Sequence, residues 1–265
     1  MRPLPKWYKI MAGIKQRGVK RLNLYVPEYY PRFHCVASRC RHTCCAGWEI
    51  DIDDESLARY ARLKGDFGDR VRRGISREGE PHFILTEGER CPLLNQDNLC
   101  ELILNEGEGA LCQICRDHPR FRNYFSDRIE MGLGLVCEEA ARVILSWPRP
   151  LRLIRLEGDA AESPTEDERY LLDLREKWLD SIEDNGPKAR LLETLIYRHL
   201  SDALYDGRLE ERVDFIRRAH AAIADGWSDG RIESLAERAR AFSDKVEYDD
   251  EELERWIAGE NDGSH

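Results

Sequence analysis

Several signatures of common protein classes are missing from this sequence. No apolar run approaches the roughly 18 residues of a membrane span, which excludes a transmembrane helix. Lys and Arg recur through residues 1–20 and interrupt any apolar core of a secretory signal peptide. No basic stripe with interleaved aromatic residues is present, so nothing indicates nucleic acid binding. We therefore expect a cytoplasmic protein without membrane contact.

Familiar catalytic and nucleotide-binding motifs are missing as well. Gly132-Leu133-Gly134 lacks the third glycine of a dinucleotide loop, and the segment 106–109 places acids where a phosphate would sit. The chain contains neither Gly-x-Ser-x-Gly nor His-Glu-x-x-His. These absences exclude several enzyme classes and leave cysteine as the main candidate for chemistry.

Cysteine is confined to one part of the chain. All nine cysteines lie between Cys35 and Cys137, and they are clustered rather than scattered. The cytosol keeps thiols reduced, so clustered cysteines there indicate metal binding or catalysis more than disulfides. The odd count also argues against complete disulfide pairing. We predict that these thiolates converge on a metal ion or an iron–sulfur cluster.

The number of sites stays open at this point. A tetrahedral zinc or a cubane cluster takes four ligands, so the cysteines could fill one site with spares or two sites of four. Adjacent Cys44 and Cys45 diverge if extended and rarely bind one small ion. Histidines stand beside several cysteines, so a mixed Cys/His zinc site remains an alternative to packing roles for these rings. They are His34, His42 and His118.

Two arginines follow a candidate ligand closely. In the segment Cys115-Arg116-x-x-Pro119-Arg120 both guanidinium groups could bind a carboxylate in bidentate fashion. They could equally neutralise an anionic thiolate cluster. Both interpretations stay open.

Charge and apolar periodicity divide the chain into three predicted regions. Residues 1–24 form a basic extension on a chain whose net charge is −10. Residues 25–150 form a loop-heavy, cysteine-rich metal domain, and residues 163–258 form a helical bundle. The predicted fold class is therefore mainly α. The bundle is predicted to begin with Ser163 as the N-cap and Pro164 at the first helical position, and Tyr170, Leu174, Trp178 and Ile182 are predicted to form the apolar face of its first helix. The segment Glu138–Leu145 is predicted to be helical by propensity and period.

The order of the cysteine motifs resembles a known family. The motifs are Tyr29-Tyr30-Pro31-Arg32-Phe33-His34-Cys35, Cys40-x3-Cys44-Cys45-x2-Trp48, Cys91-Pro92-Leu93-Leu94-Asn95 leading to Cys100, Cys115-Arg116-x2-Pro119-Arg120 and Cys137-x-Glu139-Ala140-Ala141. Together they resemble the flagellin lysine N-methylase family, which is related in motif to cysteine-rich zinc- or iron-chelating proteins. The resemblance covers residues 25–145 and extends to the helical half only by general pattern.

The resemblance implies an enzyme, a protein-lysine N-methyltransferase that uses S-adenosylmethionine. It implies a flagellin-like partner with an exposed lysine and a four-iron–four-sulfur cluster, with zinc as the alternative metal. Arg116 and Arg120 are then candidates for binding the donor carboxylate. The alternative function is a non-catalytic, metal-chelating module that binds a partner. The expected metal ligands are drawn from Cys35, Cys40, Cys44, Cys45, Cys91, Cys100, Cys115 and Cys137.

The sequence departs from the family pattern in three places. Glu138 stands where the family often has proline after the last cysteine. Cys112 stands where a small polar residue is common, so it is left out of the expected ligand set. Full-length family members are longer, so part of the substrate-binding region is expected to be missing.

Overall fold

The fold is described from a computed structural model of the 265-residue chain. It describes residues 22–41, 43–158, 163–183, 185–206, 210–211, 214–218, 236 and 239–240. The strands are β1 (Asn23–Pro27), β2 (Ile75–Ser76), β3 (His82–Phe83), β4 (Arg120–Tyr124), β5 (Arg128–Leu133) and β6 (Leu153–Glu157). The helices are α1 (Asp54–Tyr60), α2 (Gly65–Arg73), α3 (Glu101–Glu106), α4 (Gln113–Asp117), α5 (Glu138–Leu145), α6 (Glu166–Asp180) and α7 (Pro187–Asp206).

A four-stranded mixed sheet organises the described fold. Its strand order is β4-β5-β1-β6, with β1 parallel to β5 and antiparallel to β6. Strands β4 and β5 form an antiparallel hairpin, in which Asn123 pairs with Glu130. The parallel pair joins Leu24 to Ile129, so the two central strands come from distant parts of the chain.

The sheet and three helices share one apolar core. This core contains Val26 from β1, Met131 and Leu133 from β5, and the apolar faces of α5, α6 and α7. In α5 the buried residues include Ala140, Ala141, Val143, Ile144 and Leu145. Burial of these faces supplies the main drive for folding, because each large apolar side chain removed from water contributes about 1.5–3 kcal/mol.

A second apolar core lies among the short elements. It is built from Ile50, Tyr60, Val71, Phe83 and Leu93 together with neighbours from α3 and α4. Tyr60 closes it by donating its hydroxyl to the carbonyl of Ala110 at 2.8 Å. The two-stranded β2–β3 hairpin and helices α1 to α4 surround this core.

The predicted fold class, mainly α with a loop-heavy metal-binding region before a helical bundle, is wrong. The chain is mixed α/β, and its central feature is the four-stranded sheet. The strands escaped prediction because their sequences mix charges into each segment: RFRNY in β4, RIEMGL in β5 and LIRLE in β6. Clean alternation of apolar and polar residues, the usual strand signal, is absent from β4 and β6, whereas β5 does alternate and its pattern could have identified it as a strand.

The structure confirms one helix prediction and corrects the start of another. Helix α5 has the predicted bounds, Glu138–Leu145. Helix α6 starts two residues later than predicted, because Thr165 rather than Ser163 is the N-cap and forms a capping box with Glu168. The predicted apolar face of α6 included Tyr170, which is 58% exposed. Leu171 is buried instead.

Several predictions fall largely outside the described residues. The basic extension 1–24 is described only from residue 22, and the helices predicted after residue 209 are described only at 210–211, 214–218, 236 and 239–240. The proposed domain boundaries stay a prediction. Across the described residues, no helix combines the length and apolar character that crossing a membrane requires.

Candidate metal centre

Five thiols lie in the second apolar core. We call Cys45, Cys91, Cys100, Cys112 and Cys115 the inner group. The backbone N–H of Cys91 donates to the carbonyl of Cys45 at 2.7 Å, which brings two distant cysteine motifs side by side. The chain turns back after Cys91, and Leu94 pairs with Cys100 in an isolated bridge. This turn brings Cys100 close to Cys91.

Within the inner group, the side chains of Cys112 and Cys115 contact each other directly. Their Sγ atoms are 3.4 Å apart, and Cys112 is fully buried. Both thiols share one hydrogen bond, which lowers the pKa of Cys112 and raises that of Cys115. The sequence analysis left Cys112 out of the ligand set. The Cys112-x-x-Cys115 spacing is the sequence signal that could have identified it, because residues three apart share one face of a helical turn.

The remaining four cysteines lie around the start of α5. We call Cys35, Cys40, Cys44 and Cys137 the outer group. Cys35 and Cys40 stand at either end of a short 3-10 helix, Ala37–Arg39. Cys137 is the N-cap residue of α5 and packs on the first apolar core.

Glu138 connects two members of the outer group. Its carboxylate accepts hydrogen bonds from the Cys40 thiol at 3.7 Å and from the backbone N–H of Arg41 at 3.1 Å. The Arg41 side chain also forms an ion pair with the Glu138 carboxylate at 2.8 Å. Because Glu138 follows Cys137 directly, this contact places the Cys40 segment beside Cys137.

The adjacent pair Cys44 and Cys45 lies between the two groups. A hydrogen bond between their thiols raises the pKa of Cys44 and lowers that of Cys45 to about 7. The negative charges of the Cys137 and Cys35 thiolates also raise the pKa of Cys44. The positive charge of Arg90 stabilises the thiolate of Cys45 and lowers its pKa. The dipeptide therefore contributes one thiol to each group.

Burial opposes ionisation of several other thiols. It raises the pKa of Cys91 to about 12 and that of Cys137 to about 11, and it raises the pKa of Cys100. Neighbouring thiolates add to each of these shifts. Thiols that oppose each other's ionisation in this way are stabilised by a bound cation, which binds thiolate and releases protons.

This donor set suits zinc or iron–sulfur by its chemistry. As the side chains stand, however, no three His, Cys, Asp or Glu residues in the described part of the chain are arranged to hold one metal ion. Metal binding therefore requires rotation of cysteine side chains around the observed backbone. The eight predicted ligands stay a prediction, and the structure divides them between the two groups.

A cleft of about 320 Å³ opens beside the outer group. It is lined by Val36, Arg39, Glu138, Glu139 and Arg142. Glu139 and Arg142 form a bidentate ion pair along α5, at 2.6 and 2.7 Å. One of its lining residues, Glu138, is the residue that contacts the Cys40 thiol.

Arg116 and Arg120 lie at the end of α4 and the start of β4. Arg116 donates to Gln113 at 2.9 Å, and Arg120 donates to the carbonyl of Arg116 at 3.2 Å. The Arg120 guanidinium also lies over the rings of Phe33 and Tyr30, at 5.3 and 5.9 Å from their centroids. The two arginines are therefore neighbours, and Arg120 is oriented by aromatic residues from the Tyr29–Cys35 motif.

The three histidines differ in their surroundings. His118 stacks on Trp48 with 6.0 Å between ring centroids, and burial with nearby Arg120 lowers its pKa to about 4. Its Nε2 atom is buried without a hydrogen-bond partner. His34 is exposed, and His42 lies outside the described residues.

Comparison with known proteins supports the resemblance that the cysteine motifs predict. The site belongs to the class of cysteine-rich, thiol-lined centres. The chain is 30% identical over 149 residues to a lysine-N-methylase of Salmonella typhimurium, which covers 51% of this chain and 35% of that protein. A lysine-N-methylase of Salmonella choleraesuis matches at 29% over the same shares. The resemblance to the flagellin lysine N-methylase family is thereby confirmed over half of the chain.

A third relative is shorter. The flagellar biosynthetic protein FliU of Salmonella muenchen is 27% identical over 143 residues, which cover 51% of this chain and 84% of that protein. The chain thus spans about a third of the two lysine-N-methylases and most of FliU. No family model matches the chain. No solved structure matches it either.

Proposed function

We propose that this chain is a protein-lysine N-methyltransferase that uses S-adenosylmethionine and depends on an iron–sulfur cluster. The observation that carries the proposal is the similarity to two lysine-N-methylases. The match covers 35% of those proteins, so their activity comes to this chain as a proposal. The proposed substrate is a flagellin-like protein with an exposed lysine, in keeping with the flagellar relative.

The inner group is the proposed holder of the cluster. It brings five thiols into one apolar core, which limits solvent access to a cluster. Its predicted ligands are Cys45, Cys91, Cys100 and Cys115, and Cys112 is a fifth thiol within reach. If three of these thiols held the cluster, it would supply one iron that is open to the donor's amino and carboxylate groups.

Arg116 and Arg120 are the proposed partners of the donor carboxylate. Arg116 lies one residue after Cys115, and Arg120 is linked to it through the Arg116 carbonyl. A guanidinium group binds a carboxylate through two parallel hydrogen bonds, which fixes orientation as well as position. The packing of Arg120 on Phe33 and Tyr30 limits the freedom that this side chain would lose on binding.

The charge of the chain suits a cationic partner. With a net charge of −10, the chain attracts a lysine-bearing surface and speeds the encounter at low ionic strength. Methyl transfer also requires a neutral amine, whereas lysine has a reference pKa of about 10.4. Desolvation of the amine beside the thiol-lined core would lower its pKa and favour the reactive form.

The test uses anaerobically purified, metal-loaded chain. Donor binding by calorimetry and methyl transfer to a lysine-bearing flagellin are compared among wild type, Arg116→Ala, Arg120→Ala and Arg155→Ala. Arg155 is an exposed residue of β6 and serves as the matched control. We expect roughly tenfold or greater loss of donor affinity for the first two variants, because each removes charge-assisted hydrogen bonds of about 1.5–3 kcal/mol.

Two outcomes would change the interpretation. Unchanged donor affinity in both arginine variants would remove the carboxylate role while leaving the activity intact. Failure of the metal-loaded wild type to bind the donor would favour the alternative, a non-catalytic zinc- or iron-chelating module that binds a partner.

A further inference from the structure

The cleft beside α5 takes no part in the proposed donor site. Its volume of about 320 Å³ is near the lower end of the roughly 300–1,000 Å³ of small-ligand pockets. A space of this size takes one extended side chain or a small ligand rather than a folded surface. Its lining combines an apolar residue with four charged ones: Val36, Arg39, Glu138, Glu139 and Arg142. The placement of these charges therefore decides what the cleft can bind.

The carboxylates are the most enclosed charged groups of the cleft. The side chains of Glu138 and Glu139 are only 16% and 12% exposed. The Arg142 side chain is 48% exposed, and Arg39 is exposed as well. The least accessible charge is thus negative, and the positive charge lies nearer to solvent. This arrangement favours a ligand that enters with a cationic end first.

Glu139 is held in one orientation and keeps capacity for a further hydrogen-bond donor. Its two oxygens accept hydrogen bonds from Nε and Nη2 of Arg142, at 2.7 and 2.6 Å, one on each oxygen. A carboxylate oxygen has two lone pairs, so each can accept one more N–H. Because Arg142 already fixes this carboxylate, a ligand that binds there has little ordering of Glu139 to offset.

The cleft lies close to the proposed donor site. The Arg120 guanidinium lies over the ring of Phe33, and Val36 follows Phe33 by three residues. On the other side, the N–H of Gly134, four residues before α5, donates to the carbonyl of Pro119 at 2.6 Å. Three or four residues of chain span at most about 14 Å. A side chain bound in the cleft would therefore lie near a donor held by Arg120.

We propose that this cleft binds the lysine side chain of the protein substrate, with its ammonium group on the Glu139 carboxylate. The methylenes of lysine would pack along Val36, while the ammonium N–H groups use the remaining acceptor capacity of Glu139. Arg142 is a positioning residue, since it fixes that carboxylate. This assignment rests on the proposed methyltransferase function, to which it adds the residue that recognises the acceptor. Glu139 acts in binding, and no proton transfer is assigned to it.

Peptide binding in the absence of the donor gives the first test. The probe is an end-blocked pentapeptide with one lysine among alanines. Its counterpart carries norleucine, which keeps the carbon chain and lacks the amine. Calorimetry compares the anaerobically purified full chain with its Glu139→Gln variant, which keeps the side-chain size and removes the charge. We expect Glu139→Gln to weaken binding of the lysine peptide about ten- to a hundredfold and to leave the norleucine peptide unaffected.

Glu55→Gln is the matched control, because Glu55 also forms an ion pair with an arginine of its own helix, Arg59 on α1. This variant should bind both peptides as the wild type does. Equal affinity of the wild type for both peptides, or an equal loss in both variants, would overturn the assignment even in a chain that binds the donor. Glu139-dependent lysine binding in a chain that does not bind the donor would support the cleft assignment and overturn the proposed methyl transfer.

Carbodiimide cross-linking of the wild type covers the case in which Glu139→Gln fails to fold. The reagent joins a carboxylate to an amine in contact with it through an amide bond. The lysine peptide is cross-linked to the folded chain, and mass spectrometry identifies the modified carboxylates. We expect the peptide on Glu139 ahead of exposed acids such as Glu55, whose side chain is 82% exposed. Cross-links that spare Glu139 would overturn the assignment.

Discussion

Arg175 on α6 binds Glu130 on β5 through two hydrogen bonds of 2.6 and 2.9 Å. Both side chains are buried, and the Arg175 guanidinium also lies 5.2 Å from the ring centroid of Tyr197 on α7. The pair joins the central sheet to both long helices. Because each partner neutralises a charge that burial would otherwise leave uncompensated, removal of one partner costs more than the pair itself contributes.

Arg175→Ala should therefore lower the free energy of unfolding by about 3–5 kcal/mol, since it removes both hydrogen bonds to the buried Glu130 carboxylate and leaves it with a longer ion pair to Arg128, at 3.8 Å. Urea denaturation followed by circular dichroism measures the change. Lys177→Ala, an exposed position on the same helix, should change stability by less than about 0.5 kcal/mol. A small loss for Arg175→Ala would mean that water reaches Glu130.

Thr165, and not the nearby Ser163, is the N-cap residue of α6. Thr165 accepts the backbone N–H of Glu168 at 3.3 Å, and the Glu168 carboxylate accepts the backbone N–H of Thr165 at 2.8 Å. Thr165→Ala should cost about 1 kcal/mol. Ser163→Ala should be nearly neutral, although the sequence pattern favoured Ser163 as the cap. The same denaturation assay compares the two variants, and a larger loss for Ser163→Ala would contradict the observed boundary.

Glu193 on α7 is expected to make stability depend on pH. Burial raises its pKa from the usual 4.5 to about 7, against the opposing effects of Arg190 and of the hydrogen bond from the Leu151 N–H. The folded state thus binds the Glu193 proton more tightly than the unfolded state, so this contribution to stability is present below pH 4.5 and is lost as pH rises to 7. Its size is on the order of 3 kcal/mol.

Comparison with Glu193→Gln isolates this contribution from other titrating groups. Urea unfolding is measured for wild type and variant at several pH values through that window. The difference in unfolding free energy between them should change steadily with pH and then become constant. A difference that is independent of pH would show that Glu193 titrates normally.

Asn95 organises the loop that carries Cys91 and Cys100. Its side-chain oxygen accepts the backbone N–H groups of Asp97 and Leu99, each at 2.9 Å. Asn95→Ala should cost about 1–2 kcal/mol, the value of two modest hydrogen bonds, and should accelerate the release of iron from the proposed cluster to a chelator. Gln96→Ala, exposed in the same loop, is the control. Equal iron-release rates in the two variants would show that Asn95 does not position the proposed ligands Cys91 and Cys100.

The sequence by itself determined the chemical character of the site. Cysteine clustering pointed to the thiols, the ordered motifs pointed to the family, and local helix propensity and periodicity predicted α5 in full. These features depend on residues that are near one another in the chain. Short-range geometry, such as the face shared by Cys112 and Cys115, is readable for the same reason.

Only the tertiary structure decided how the distant parts combine. The parallel pairing of β1 with β5 joins residues about one hundred positions apart in the chain. The local sequence of a strand does not predict which distant strand it pairs with. The separation of the thiols into two groups depends on that folding as well, because Cys137 meets Cys40 through Glu138 while Cys91 meets Cys45 through the backbone. Long-range contacts arise from packing two apolar cores at once, which no local spacing specifies.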